Sequence, residues 1–248
     1  MNRNNESSVG MGHMVMRRAK MTPQDPALTY EGDTQTFEQL AQNIGKVAYF
    51  LKSLNIVPGD RVGYLGQNHP RFLEVLYASS LVGAIFVPLN YRLTSQEVQF
   101  IANDSGLKVL FADQFSAHLI DGYEDELPCK HLISVGFNSC GWTALDSALA
   151  NDAIEMAGRS LIPAQVTESD TALIMYTSGT TGRPKGALLS HGNIFWNLLN
   201  AKFMEEIMRG TTLTCAPLFH IGGLNVTTHP SLISGVHVVL HQAFDAKR

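Results

Sequence analysis

The sequence predicts an α/β protein built on mainly parallel sheets with helices on both faces. Three observations carry that expectation. Short, continuous apolar runs recur with turn residues at their ends, which suits strands buried on both faces. Between them lie segments with apolar residues at helical 3–4 spacing. The two kinds alternate along the chain, as βαβ units require.

In chain order, "ALTYEG" from Ala27 reads as a strand ending in a turn. Thr36 stands three residues before Gln39, a capping-box spacing, and Phe37, Leu40, Ile44, Val47 and Leu51 follow on one helical face. "RVGYLG" is a strand. Pro70 opens a helix with Asn68 or His69 as cap, and Phe72, Leu73, Leu76 and Leu81 form its apolar face. "AIFVPL" is a buried strand stopped by Pro88. Thr94 with Glu97 predicts a second capping box, and "LKVLFAD" and "HLISV" are further strands. "WTALDSALA" reads as a short helix. Periodicity weakens over 150–169, which places a subdomain boundary there. "DTALIMYTS" is then a strand running into a Gly-rich loop. After the loop come a strand "GALLSH", a helix over 192–209, a strand "TTLTCAP", a helix near 224–233 and a strand "VHVVL". The expected organisation is a frayed tail over 1–22, a first α/β subdomain over 23–160 and a second over 161–248.

Composition bounds the function. The chain has 248 residues, 45% apolar and 16% charged, with a net charge of −4. That is globular, and nothing global favours nucleic acid or membrane lipid. No run reaches the roughly 18 apolar residues of a membrane span. The N-terminus lacks the apolar segment of a secretory signal, so the expected location is cytoplasmic. Cys129, Cys140 and Cys215 are too few and too far apart for a disulfide framework or a zinc pattern. His237 and His241 flank a β-branched pair and read as strand residues rather than metal ligands.

The chemistry is concentrated in "YTSGTTGRPKG", Tyr176 to Gly186. Gly179, Gly182 and Gly186 permit positive φ and let main-chain N–H groups approach an anion. Thr177, Ser178, Thr180 and Thr181 add hydroxyl donors, Lys185 a mobile cation, and Arg183 a second one. Together they read as a polyphosphate clamp. It is not a Walker A loop, since Gly182 is followed by Arg-Pro-Lys and Gly186 comes after the lysine. "GMGHMV" near the N-terminus lacks the third glycine of a dinucleotide fingerprint.

The ordered pattern resembles the signature of the adenylate-forming superfamily, which includes acyl-CoA synthetases, luciferases and peptide-synthetase adenylation domains. The resemblance runs from about Pro23 to the end. The long stretch from "GDRVGYLGQNHPRF" to "LKVLFAD" resembles the acyl-CoA synthetase branch, and "APLFHIGG" resembles its next motif. The resemblance implies part of the large N-terminal domain of such an enzyme, with a two-step reaction. A carboxylate attacks the α-phosphate of Mg-ATP, and a thiol, usually that of coenzyme A, then displaces AMP. It further implies that Thr177, Ser178, Gly179, Thr180, Thr181, Gly182 and Lys185 hold the β- and γ-phosphates, that Thr181 is the candidate for Mg²⁺, and that Lys185 and His220 are the catalytic candidates. The acid is expected to be fatty or aromatic.

No Tyr-Gly-x-Thr-Glu pattern, which marks the family's adenine site, stands in these residues. The chain therefore resembles the N-terminal portion of the enzyme and is expected to be inactive alone, with an exposed strand edge that favours self-association. The competing expectation is a truncated, noncatalytic module that binds nucleotide phosphates or a partner.

Overall fold

The computed structural model describes residues 9–177, 183–203 and 210–246. It contains two sheets. The chain begins with α1 (Met11–Met21), β1 (Pro26–Tyr30), β2 (Asp33–Thr36) and α2 (Phe37–Ser53). Next come β3 (Arg61–Leu65), α3 (Pro70–Leu81), β4 (Ile85–Leu89), α4 (Ser95–Ser105), β5 (Leu107–Asp113) and β6 (His131–Val135). β7 (Thr143–Ala144), α5 (Leu145–Leu149) and α6 (Asp152–Arg159) lead to β8 (Thr171–Thr177) and β9 (Lys185–Ser190). The last elements are α7 (His191–Lys202), β10 (Thr211–Thr214), a π-helical turn (Gly222–Thr228), α8 (His229–Ser234) and β11 (His237–Leu240).

The larger sheet has seven strands in the order β7-β6-β5-β3-β4-β8-β9, and only the β8–β9 pair is antiparallel. Alternate strand residues feed two cores. Val62, Tyr64, Phe86, Val109 and Phe111 join the core with α1, α2 and α3, whereas Leu65, Val87, Leu110 and Ala112 join the core with α4. Helices therefore cover both faces, as expected from the apolar strands. On the first face Tyr64, Phe72 and Phe86 meet edge to face at centroid separations of 5.0 and 5.1 Å. The smaller sheet has the order β10-β11-β1-β2.

Both predicted capping boxes form. Thr36 accepts from the Gln39 N–H and Thr94 from the Glu97 N–H, with the reciprocal side-chain bonds in place. His69, not Asn68, caps α3. Gly106 ends α4 at φ 62°, a left-handed conformation that glycine adopts without strain.

Several expectations are corrected. Residues 11–21 are not a tail: they form α1, which buries Met11, Met14 and Val15. A Cβ on Gly12 would lie 2.4 Å from the Tyr77 carbonyl oxygen, so glycine there lets α1 lie directly on α3. Residues 152–159, inside the expected boundary region, form α6. They pack on α2 through Gly45 and Gly158, where a Cβ on Gly158 would lie 2.8 Å from the Lys46 nitrogen. The contact itself runs through two glycines, which give no apolar signal in the sequence. The division at 160/161 is not a structural break either. β8 and β9 complete the sheet begun by β3, and β10 and β11 join β1 and β2. β4 continues through Pro88, since its registered pairing with β8 is confined to Phe86↔Leu173 and a missing N–H is tolerated beyond it. The helix expected over 192–209 is α7, ending at Lys202, capped by Ser190 with Asn193. Residues 204–209 lie outside the described residues. Among the described residues no helix is long and apolar enough to cross a membrane.

Candidate functional site

β8 delivers the chain to the Gly-rich loop and β9 returns it antiparallel, with Thr177 opposite Lys185 and Tyr176 opposite Gly186. This register brings two of the predicted loop residues, Thr177 and Lys185, to the same level of one ribbon. Ser178, Gly179, Thr180, Thr181 and Gly182 lie outside the described residues. Gly186 has a different reason for being glycine than positive φ. A Cβ there would come within 2.9 Å of Ile174 and 3.1 Å of the Tyr176 ring, so its absence lets the tyrosine lie across the ribbon.

The facing wall comes from the segment between β10 and α8. Asn68, just after β3, pins it with three side-chain hydrogen bonds. Its Nδ2 donates to the carbonyls of Ala216 and His241, each at 3.0 Å, and its Oδ1 accepts from the Leu218 N–H at 2.8 Å. Past this anchor the chain turns sharply. A Cβ on Gly223 would stand 2.3 Å from the Pro217 carbonyl oxygen, so the first residues of the π-helical turn can pack there only with glycine at 223. His220 precedes that turn and is exposed. Its Nδ1 accepts from the Gly222 N–H at 3.1 Å, so a neutral ring carries its proton on Nε2. Phe219 is held edge-on against Tyr91, with centroids 5.3 Å apart.

Between these walls is a cleft of about 340 Å³. Thr177 and Pro184 at the loop, His220 and Phe219 opposite, and Leu93, Glu97 and Ile101 from α4 and its approach all line it. Thr177 and His220, far apart in sequence, thus share one cavity. Lys185 is exposed on the ribbon and does not line it. Glu97 has its carboxyl held below the usual range by hydrogen bonds from the Thr94 N–H and hydroxyl. Tyr176 donates to Asp104 Oδ2 at 2.6 Å, and burial together with that carboxylate raises its phenol pKa. A larger crevice of about 410 Å³ lies past the ends of β3, β5 and β6, but its lining includes no residue of the Gly-rich loop or of "APLFHIGG". Among the described residues, no group of three or more His, Cys, Asp and Glu could hold a metal. His237 in particular bonds Thr29 at 2.7 Å.

Sequence reading missed Asn68, Glu97, Asp104 and Tyr176 as site residues. Tyr176 lay inside the quoted motif without a role. Asp104 carries no local signal, since only the fold brings it to β8.

A family model described as AMP-binding enzyme matches residues 15–248. A feruloyl-CoA synthase of an Amycolatopsis species is 37% identical over 237 residues, which is 95% of this chain and 45% of that protein. An indoleacetate–CoA ligase of Aromatoleum aromaticum is 36% identical over 239 residues, covering 95% of this chain and 46% of the ligase. The solved structure of a Mycobacterium tuberculosis fatty acyl CoA synthetase superposes with a TM-score of 0.76 at 28% identity, over 96% of this chain and 46% of that one. The chain thus spans about half the length of the relatives it matches.

Proposed function

The chain belongs to the AMP-binding enzyme family, and from that premise we propose that it carries the phosphate loop and one wall of the acid pocket of an AMP-forming acid–thiol ligase. The observation that carries this reading is the shared cleft, with Thr177 of the Gly-rich loop on one side and His220 on the other.

In the proposed reaction a carboxylate oxygen attacks the α-phosphorus of ATP. The bond to the bridging oxygen breaks, and pyrophosphate leaves with the electron pair. The acyl-adenylate then loses AMP to a thiol, for which coenzyme A is the proposed acceptor. Charge builds on phosphate oxygens throughout, so placed donors and cations supply most of the stabilisation. Thr177, Ser178, Gly179, Thr180, Thr181, Gly182 and Lys185 are the proposed holders of the β- and γ-phosphates. Lys185, exposed beside Thr177, is free to reach a phosphate from outside the cleft. His220, with Nδ1 engaged, offers Nε2–H to the oxygen of the reacting acid.

The loop sequence offers hydroxyls, and among the described residues no carboxylate cage stands beside it, which suits an ion that arrives on the polyphosphate. Mg²⁺ would neutralise phosphate charge there, with Thr181 as its proposed protein contact. The proposed acid is aromatic. The two relatives above act by name on ferulate and indoleacetate, and the wall offers Phe219 and aliphatic groups from Leu93, Ile101 and Ile221.

Calorimetric titration of the 248-residue chain with Mg·ATP tests the proposal. Saturable binding, competed by pyrophosphate and weakened about tenfold or more by Lys185→Gln at unchanged melting temperature, is expected. A chain that binds neither ligand would refute it. Ferulate should also bind more tightly than decanoate; the reverse order would move the acid class to fatty.

A further inference from the structure

Asp104 occupies a poor position for a carboxylate. It lies in the last turn of α4 and is exposed there, where the helix dipole disfavours negative charge. Helix stability therefore does not explain it. Its carboxylate instead accepts the Tyr176 hydroxyl at 2.6 Å, across the gap between α4 and β8. β8 needs such a tie. Its registered pairing with β4 is confined to Leu173, near its start, and β9 beyond it is an exposed edge strand. The end of the ribbon that carries Thr177 and Lys185 has no registered sheet partner on the β4 side among the described residues. The Tyr176 ring also lies over Gly186, directly opposite it in the ribbon. One side chain thus touches both strands at the loop's base and fastens them to α4, which supplies Glu97 and Ile101 to the same cleft.

We propose that Asp104 is a positioning residue for the phosphate loop. Through the Tyr176 hydroxyl it ties the base of the β8–β9 ribbon to α4, and so sets the separation of the ribbon end at Thr177 and Lys185 from the α4 side of the cleft. This rests on the phosphate-loop reading given under the proposed function. Burial and Asp104 itself keep the phenol protonated, hence donating, through the neutral range. The bond is partly open to water, so the expected effects are moderate.

The test uses amide hydrogen exchange over 185–190 and Mg·ATP titration on the 248-residue chain. Asp104→Ala and Tyr176→Phe should each speed exchange about three- to tenfold and weaken Mg·ATP by a similar factor. The double variant should be no worse than either single one, since both remove the same bond. Asp104→Asn, which keeps an acceptor oxygen, should lie closer to wild type than Asp104→Ala, a rescue that a mere change in helix stability would not show. Unchanged exchange and affinity in both single variants, or fully additive effects in the double one, would overturn the tether. A wild-type chain that binds neither Mg·ATP nor pyrophosphate would instead overturn the phosphate reading, while the exchange data still judge the tether itself.

Discussion

The segment from His220 to His229 joins two regions of opposite character. At its start His220 is exposed on a cleft, with one ring nitrogen engaged by the next turn. At its end His229 is fully buried, stacked on Tyr77 with its Nδ1 3.1 Å from the Tyr77 hydroxyl. His229 belongs to a seam between α1, α3, α7 and α8 that also buries His13 and His191. His13 Nδ1, His191 Nδ1 and His229 Nε2 have no hydrogen-bond partner among the described residues. Burial, with a smaller contribution from a neighbouring histidine in each case, lowers the pKa of His191 to about 4 and of His229 to about 3. The strongest perturbation of a histidine in the molecule therefore lies in the packed seam. Perturbed titration marks burial here, and geometry around a loop marks the candidate chemistry.

Acid should act on the seam, and on His69 at the start of α3 outside it, and produce the largest effect. The ordinary imidazole pKa is 6.5, and the folded values of His69 and His191 are about 4 and that of His229 about 3. Above pH 6.5 neither folded nor unfolded chain binds these protons, and no stability is lost. Below it the unfolded chain binds them first, so stability falls with pH down to the folded pKa values. At about 1.4 kcal/mol per histidine per pH unit, the three together cost of order 4–6 kcal/mol by about pH 5. Urea unfolding at neutral pH and at about pH 5 checks this. Equal midpoints would erase the distinction between the two regions.

Truncating the aromatic stack tests the same contrast from the packing side. Phe72→Ala removes the ring between Tyr64 and Phe86 and should cost about 3–5 kcal/mol. The surviving folded fraction should bind Mg·ATP within about twofold of wild type, because α3 contributes no side chain to the cleft. A large affinity loss would show that core and cleft are coupled. Gly158→Ala is the milder version. Its methyl would meet the α2 backbone at Lys46 and Gly45, and overpacking of this kind costs about 1–3 kcal/mol, read as a lower melting temperature.

The sequence made the two regions unequally legible. Capping boxes at Thr36 and Thr94 and the apolar strands of the large sheet were readable because their signals are local. The Gly-rich loop carries a local signal too, in residue types that point to phosphate chemistry, but Ser178 to Gly182 lie outside the described residues. The contacts of Gly12 with Tyr77 and of Gly158 with Gly45 were not readable, because a glycine chosen for close approach looks like a turn or a linker. The interleaving of β1 and β2 with β10 and β11 is a pairing of distant segments, which periodicity does not encode. Asn68 read as a cap candidate and proved to be the anchor of the His220 wall, through bonds to residues about 150 positions away.

Thr94→Ala should have the smallest effect on stability, about 1 kcal/mol, yet it separates the regions most finely. Thr94 caps α4 on the side away from the seam, and both its N–H and its hydroxyl bond the Glu97 carboxylate on the cleft wall. Losing the hydroxyl weakens the helix start and frees one side of that carboxylate, while the N–H contact remains. Thr94→Ser keeps the hydroxyl and should restore both stability and Mg·ATP affinity. Melting of the two variants beside their Mg·ATP titrations reads the cap and the cleft separately. An affinity change in Thr94→Ala with no change in melting would mean that Glu97 acts on ligand directly; a melting change alone would leave it a capping residue that happens to border the cleft. Either result says how far the α4 wall, held by Thr94 at one end and by the Asp104–Tyr176 bond at the other, is a working part of the site.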